Sequence, residues 1–356
     1  MNQQSPPAKV SVIVPVRNEQ ENVEGVVRSL AGQEAVAEIL MVNDHSEDRT
    51  AEILARLAEE IPNLTALEAP ELPPGWTGKN HALAYGAEHA QGEIFLFTDA
   101  DTRHFEGTVA ACALRMEREG LAVYSLSPEQ QTPTLWERAS VPYIYSRLAE
   151  RYKFDEVNDP QGPTAAANGQ FLMISRRAYE AIGGHKGVRG EILEDVVLAK
   201  KAKLADHRLR FEGGKGRVRT RMYPTVGEFW TGWVKNLYLL FGGTRGATLR
   251  TVVSTLALDL GLPAGLFIGW GLFLWDPTRS PALGVALVLL PIVTFRQCRY
   301  EAALKRLGFP GRLVFYRPVS AVVFILLLLN SAWAHRAGGR VRWKGRSYPA
   351  KNLRQP

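Results

Sequence analysis

In the first half of the chain, short apolar runs alternate with stretches whose apolar residues recur at helical spacing. Residues 10–14, Val-Ser-Val-Ile-Val, predict a buried strand ending at Pro15-Val16-Arg17-Asn18-Glu19, and 22–30 have the spacing of a short helix. A second strand is expected at 37–42, ending at Asn43-Asp44. Beyond Ser46, read as an N-cap, Ile53, Leu54, Leu57, Ala58 and Ile61 fall on one helical face. Residues 64–67 predict a third strand, 80–90 a helix, and 94–97 a fourth strand, too short for a helix and rich in aromatic and branched residues. Further on, 107–120 reads as a helix, 123–127 and 171–174 as strands, and 191–198 as the start of another helix. Strand and helix alternating over short connections predict an α/β fold, a mostly parallel sheet with helices on both faces.

The pattern changes after residue 240. Residues 252–275 form an apolar stretch whose only charge is Asp259, long enough to cross a bilayer; 281–296 form a shorter apolar segment, and 318–334 carry no charge. The chain thus divides into a 1–240 domain expected in the cytoplasm, membrane segments within 241–335, and a tail at 336–356. Residues 138–151 interleave Val141, Ile144, Tyr145 and Leu148 with Arg and Tyr, which suits an amphipathic helix on a membrane or an ordinary surface helix. Residues 1–9 are polar and show no secretory signal pattern.

Charge sharpens this division. Residues 296–356 hold 13 of the 43 Lys+Arg and 1 of the 36 Asp+Glu, a balance of +12, so the remainder carries 30 against 35, or −5. The basic excess belongs to the tail, and nucleic acid is not expected as a partner, since that would need a basic face on the folded domain. Basic loops stay on the cytoplasmic side, which places 296–317 and 335–354 together, whereas three full crossings would separate them. One apolar segment is therefore re-entrant or interfacial, either 283–295 or 318–334. Cys112 and Cys298 lie far apart and outside any metal-ligand spacing, as suits a reducing compartment.

The fourth predicted strand stops at Thr98-Asp99-Ala100-Asp101. In an extended chain residues two apart point the same way, so Asp99 and Asp101 are expected to present four oxygens to one hard cation, Mg2+ or Mn2+, shared with substrate phosphates. In open sheets of this kind ligands bind beyond the carboxyl ends of the strands, where Arg17-Asn18-Glu19, Asn43-Asp44 and Asp99-Ala100-Asp101 all gather. That recurrence suits a nucleotide diphosphate, with Glu19 and Asp44 accepting hydrogen bonds from base and ribose. Lys79, in Gly75-Trp76-Thr77-Gly78-Lys79-Asn80-His81 at the start of a helix, is expected to contact phosphate. The small residues before Asn168-Gly169-Gln170 allow close backbone approach to a ligand. Glu194-Asp195 opens a helix, where the dipole favours acids; a carboxylate there also suits general-base work on an acceptor hydroxyl.

The ordered set Val-Pro-x-Arg-Asn-Glu, Val-Asn-Asp, Gly-Trp-Thr-Gly-Lys-Asn, Asp-Ala-Asp, Asn-Gly-Gln and Glu-Asp resembles family 2 glycosyltransferases with the GT-A fold, over roughly residues 8–240. The loop ending at His81, Arg221-Met222-Tyr223 and Trp343-Lys344-Gly345-Arg346-x-Tyr348 resemble the membrane-bound subgroup associated with hopanoid and carotenoid biosynthesis. The resemblance implies that Pro15, Arg17, Glu19, Asp44 and Asp99 line the nucleotide pocket, that Asp101 holds the metal, and that Asp195, beside Glu194, is the general base. It implies an inverting transfer of one sugar from a UDP-sugar to a lipid, a carotenoid or hopanoid first and a polyprenyl phosphate or glycerolipid second.

One signature of many members, Gln/Arg-x-x-Arg-Trp, is replaced here by Glu228-Phe-Trp-Thr-Gly-Trp233-Val-Lys235-Asn236. Trp233 would then stack on the acceptor and Lys235 neutralise diphosphate, or the tryptophans would anchor the chain at a membrane interface. The departure favours a single transfer over a processive polysaccharide synthase. A non-catalytic membrane scaffold with a retained nucleotide-binding fold is the rival of another class.

Overall fold

A computed structural model describes residues 9–278, 280–336 and 339–349; the first eight residues and the last seven of the basic tail lie outside the described residues. In chain order the elements are β1 (Val10–Val16), α1 (Val23–Ala31), β2 (Val36–Asn43), α2 (Thr50–Glu60), β3 (Leu64–Glu68), α3 (Gly78–His89), β4 (Ile94–Phe97), β5 (Thr102–His104), α4 (Thr108–Glu119), β6 (Val123–Ser127), β7 (Glu129–Gln130) and α5 (Leu135–Arg151). There follow α6 (Phe154–Asn158), β8 (Leu172–Ser175), α7 (Arg176–Ala181), α8 (Glu194–Leu204), β9 (Leu209–Gly213), β10 (Val218–Thr220) and α9 (Val226–Leu240). The last are α10 (Arg245–Thr255), a π-helical turn (Leu256–Gly261), α11 (Leu262–Trp275), α12 (Ser280–Arg306), a 3-10 segment (Gly311–Tyr316), α13 (Arg317–Ala334) and the hairpin β11 (Arg340–Trp343) with β12 (Arg346–Pro349). Two compact units result: 1–131 with 152–222, and 132–151 with 223–356.

The first unit is built on a seven-stranded sheet in the order β3-β2-β1-β4-β8-β6-β9. Every neighbouring pair is parallel except those made by β8, which runs antiparallel to β4 and to β6. The parallel expectation therefore holds with one reversed strand. Strand β1 explains the continuous apolar pattern of its sequence, because both its faces are covered. Val10, Val12, Val14 and Val16 pack with α1, α2 and α4, while Ile13 turns to the opposite face with Leu83 and Ala87 of α3 and Leu198 of α8. The chain leaves β1 toward β2 and β3 on one side and returns to β4 on the other, so the strand order reverses beside β1. A small second sheet, β5-β10-β7, continues from the end of β4.

Two local expectations need correction. Ser46 caps no helix: α2 begins at Thr50, and the Ser46 hydroxyl instead donates to Asn43 Oδ1 (2.6 Å) and accepts from the Asn18 amide (3.0 Å). Asp48 does the capping work, its Oδ1 accepting from the Thr50 amide at 2.9 Å. Helix α8 starts at Glu194 rather than Glu191, so both acids of the Glu-Asp pair sit in its first turn.

In the second unit, α5 is no free surface helix. Tyr143, Ile144 and Tyr145 are buried, and Ser320 of α13 donates to the Ala139 carbonyl of α5. Among the described residues, three helical stretches, Arg245–Trp275, Pro281–Arg306 and Gly311–Ala334, are long and apolar enough to cross a membrane.

Candidate active site

The carboxyl edge of the first unit's sheet assembles acids from four separate elements. Asp44 follows β2, Arg17 and Glu19 follow β1, and Asp99 and Asp101 follow β4. Because β8 is reversed, the residues before it, Asn168-Gly169-Gln170, reach the same edge. Helix α8 adds Glu194 and Asp195.

Lysine 79 ties these parts together. Its Nζ lies 2.9 Å from Asp99 Oδ1 and 2.9 Å from Glu194 Oε1. Burial alone would lower its pKa, but the charges of Asp99, Glu194 and Asp195 outweigh it and hold the ammonium well above its ordinary range. The expected cation at the helix start is thus present, with two carboxylates already beside it. Gly169 packs into the same cluster: a Cβ there would stand 3.0 Å from Lys79 Nζ, 3.4 Å from Glu194 Oε1 and 3.5 Å from Asp195 Oδ2. Replacing Gly169 with Ala is expected to leave the fold intact but push Lys79 out of its bridge. Since small misplacements at a reacting centre cost up to about 100-fold in rate, turnover should drop roughly 10- to 100-fold with thermal stability nearly unchanged. A turnover equal to wild type in a steady-state assay would contradict the packing role.

Asp195 is held by backbone donors. Its Oδ2 accepts from the Gly169 amide and its Oδ1 from its neighbour Val196, each at 2.8 Å. Burial, then the adjacent Glu194 charge, push its carboxyl up to about 6, against the pull of Lys79 and those two amides. A base works only when deprotonated. If Asp195 is that base, kcat/KM should climb with pH through about 6 and fall about tenfold per unit below it, which a pH–rate profile would reveal. A profile flat from pH 5 to 8 would exclude the role.

The fourth strand ends at Phe97, and Ala100 and Asp101 lie in a turn. The expected extended alternation of Asp99 and Asp101 is therefore not what positions them. Asp99 faces Lys79, whereas both oxygens of Asp101 lie 3.5 Å from Gln170 Nε2. Behind the turn, Thr98 Oγ1 donates to the Gln170 carbonyl (2.7 Å), and Thr98 and Thr102 meet buried His104, whose pKa burial and then Arg103 lower to about 3. That neutral imidazole buttresses the turn without adding charge. Among the described residues no three His, Cys, Asp or Glu side chains cluster to hold a metal. Two carboxylates suffice for Mg2+ or Mn2+ where substrate phosphates and water complete the shell, so the donor set fits such an ion.

On the nucleotide side, Arg17 shapes the loop after β2: its Nη1 donates to the carbonyls of Asp44 (2.6 Å) and His45 (2.9 Å), and its Nη2 to Glu47 Oε1 (3.2 Å). Pro15 lies within β1, paired with Val42. Glu19 accepts from Asn22 Nδ2 at 2.8 Å, and Asp44 is buried. Trp233 and Lys235 belong to α9 in the second unit. The stacking role for Trp233 is corrected, because its ring is 3% exposed and packed edge-on against Tyr145 and Tyr223.

Asn80 was not foreseen as a site residue. Fully buried, its Nδ2 donates to the carbonyls of Val188 (2.9 Å), Arg189 (3.3 Å) and Glu191 (2.9 Å), and the Thr77 amide donates to Arg189 (2.8 Å). These bonds lock the start of α3, with Lys79, onto the segment leading into Glu194-Asp195. Asn80→Ala strands buried carbonyls and should cost on the order of 3 kcal/mol, read as a lowered unfolding midpoint. An unchanged midpoint would contradict this tie.

Residues 11–183 match the family model described as glycosyl transferase family 2. Those residues carry a glycosyl transferase family 2 domain. Over 349 residues it is 26% identical to 4,4'-diaponeurosporenoate glycosyltransferase of Staphylococcus haemolyticus (strain JCSC1435), covering 96% of this chain and 89% of that protein. The protein of the same name from Staphylococcus aureus (strain MRSA252) is 24% identical over 343 residues, 95% and 88% of the two chains. Among solved structures, the mannosyltransferase PcManGT from Pyrobaculum calidifontis, in complex with GDP-Man and Mn2+, matches with a TM-score of 0.50 and 18% identity, covering 93% of this chain and 89% of that one. The glycosyltransferase thus has the GT-A fold, followed among the described residues by three apolar helical stretches.

Proposed function

We propose that the enzyme transfers one sugar from a UDP-sugar to a membrane lipid with inversion, its first unit in the cytoplasm and its apolar helices in the bilayer. The observation that carries this reading is the single cluster in which Lys79 bridges Asp99 and Glu194 while Gly169 holds Asp195. Cation and base from distant parts of the sequence meet at the sheet edge where a nucleotide would lie.

In this reading Glu19 and Asp44 receive base and ribose, and Pro15 and Arg17 shape the pocket floor. Asp101, with Asp99, would hold Mg2+ or Mn2+, which supplies charge stabilisation for the departing diphosphate. Lys79 adds its fixed positive charge there, and its two carboxylate partners keep it oriented before substrate arrives. Asp195 takes the proton of an acceptor hydroxyl as that oxygen attacks the anomeric carbon from the face opposite the diphosphate. One displacement with no covalent enzyme intermediate inverts the centre.

The name of the relatives, 4,4'-diaponeurosporenoate glycosyltransferase, supports a carotenoid acceptor, ahead of a hopanoid, polyprenyl phosphate or glycerolipid. It also favours a second version of the step, because an acceptor ending in "-oate" attacks as a carboxylate and has no proton to lose. Asp195 would then orient rather than deprotonate. Incubating the purified chain with UDP-sugars, Mn2+ and carotenoid or total lipid extract tests the reading: lipid-dependent release of UDP with one sugar on the product supports it. Absence of release with every donor and lipid would favour the scaffold alternative, and long polymer the processive one.

A further inference from the structure

We infer that only α11 and α12 cross the bilayer, as a hairpin, and that α13 lies in the plane of the cytoplasmic interface. The inference rests on the proposed membrane location and settles which apolar segment is not a crossing.

The three apolar stretches differ in what surrounds them. Of the most apolar window of Pro281–Arg306, 6% is buried within the protein, against 44% for Gly311–Ala334. Helices α11 and α12 pack closely on each other and bare their remaining surface all round. A Cβ on Gly269 would meet the Ala282 carbonyl at 3.1 Å and Ala286 Cβ at 3.3 Å, the close approach of small residues that pairs helices in lipid. Phe267, Ile268 and Leu274 on one helix and Val288 and Phe295 on the other are exposed. A hairpin apolar on every outer side belongs inside hydrocarbon.

Helix α13 is different in kind. Its exposed apolar residues are Val319, Val322, Leu326, Leu329 and Trp333, spaced three and four apart along one narrow stripe. The rest of its circumference is covered by α5, α9, α10 and the π-helical turn, and it makes no extended contact with α11 or α12. Of those covering helices, α5 is not built for hydrocarbon. Helix α5 carries Glu137, Arg138, Arg147, Glu150 and Arg151. Polar bonds tie both ends of α13 to them: Ser320 Oγ donates to the Ala139 carbonyl, and Ser331 Oγ donates to the Val234 carbonyl and accepts from the Tyr238 amide. One apolar stripe on a helix otherwise covered by protein, α5 with its charges among it, suits a surface lying on lipid, not a span.

A charged knot marks where the hairpin leaves the interface. Asp259 Oδ1 accepts from Arg296 Nη2 (2.8 Å) and Arg317 Nη2 (2.7 Å), and Oδ2 accepts from the Tyr143 hydroxyl. The π-helical turn, α12, α13 and α5 are thereby pinned at one level. From Asp259 to Trp275 the helix rises about 24 Å at ~1.5 Å per residue. With the loop beyond it, and arginines reaching toward headgroups, that spans about 30 Å of hydrocarbon. The tip carries Asp276, whose carboxylate holds Thr278, a polar group that belongs in water on the far side. Arg296, Arg299, Lys305, Arg306, Arg312 and Arg317, against Glu301 alone, then gather at the near leaflet with the flank at Arg336, and the conflict between basic segments and three crossings disappears.

The test labels cysteines with a membrane-impermeant maleimide on the full-length chain in intact and disrupted cells. Exposed Cys298 serves as the internal marker, and Thr278→Cys and Arg336→Cys are made in a Cys298→Ser background. We expect Thr278→Cys to label in intact cells, and Cys298 and Arg336→Cys to label at least tenfold more after disruption. Labelling of Arg336→Cys in intact cells would mean that α13 crosses, and labelling of Thr278→Cys only after disruption would mean a re-entrant hairpin; either overturns the inference while leaving the membrane location standing. Release of the whole chain by an alkaline carbonate wash would overturn the membrane location itself.

Discussion

Asp195→Asn should reduce turnover on a hydroxyl acceptor by about 10³-fold or more while the protein still folds and binds UDP, its unfolding midpoint lowered only by the bond lost to the Val196 amide. General-base catalysis contributes roughly 10²- to 10⁴-fold, and the amide retains an oxygen for the bond from the Gly169 amide while losing all basicity. Kinetics on two acceptors would make the result more informative. With a carboxylate acceptor no proton is removed, so the same substitution should cost about tenfold or less, because only orientation and charge balance around Lys79 are disturbed. A variant as active as wild type on a hydroxyl acceptor would remove Asp195 from the chemistry.

Asp101→Ala is expected to abolish stimulation by Mn2+ and reduce metal-dependent turnover by about 10²- to 10³-fold, the scale at which electrostatic stabilisation of a leaving group acts. Its contacts with Gln170 Nε2 are long, 3.5 Å, so a thermal-unfolding control run beside the assay separates loss of the metal from loss of the fold. The informative readout is UDP affinity with and without Mn2+. Wild type should bind more tightly with the metal, and the variant should bind equally in both conditions. If the variant keeps the metal enhancement, the ion sits elsewhere.

Strand periodicity made the sheet legible, and the acids at the strand ends marked the functional edge, because both signals are local. Pairings across the fold were not. Nothing near Lys79 in the sequence announces Glu194, more than a hundred residues on, and the reversal of β8 that brings Gly169 to both leaves no trace in its apolar pattern. Ser46 misled because Asn43 and Asn18 compete for its hydroxyl. Asn80 was hidden for a related reason: an asparagine early in a helix usually reads as turn chemistry, and its three carbonyl partners lie on another loop. Trp233 was read as available because an aromatic on an amphipathic helix carries no mark of which neighbours will enclose it. Hydropathy also treated α13 like α11 and α12, since a residue buried against protein and one facing lipid are equally apolar; only the packing separates them.

The central claim is that Asp44, Asp101 and Asp195 serve one metal-bridged nucleotide at a common sheet edge. A structure of the full chain with UDP and Mn2+, with the metal located by anomalous scattering, tests it most directly. The ion should lie beside Asp101 in contact with the diphosphate, the uridine against Asp44, and Asp195 should face the side from which the acceptor attacks. A nucleotide bound away from these three carboxylates, or an ion that touches neither Asp101 nor the diphosphate, would contradict it.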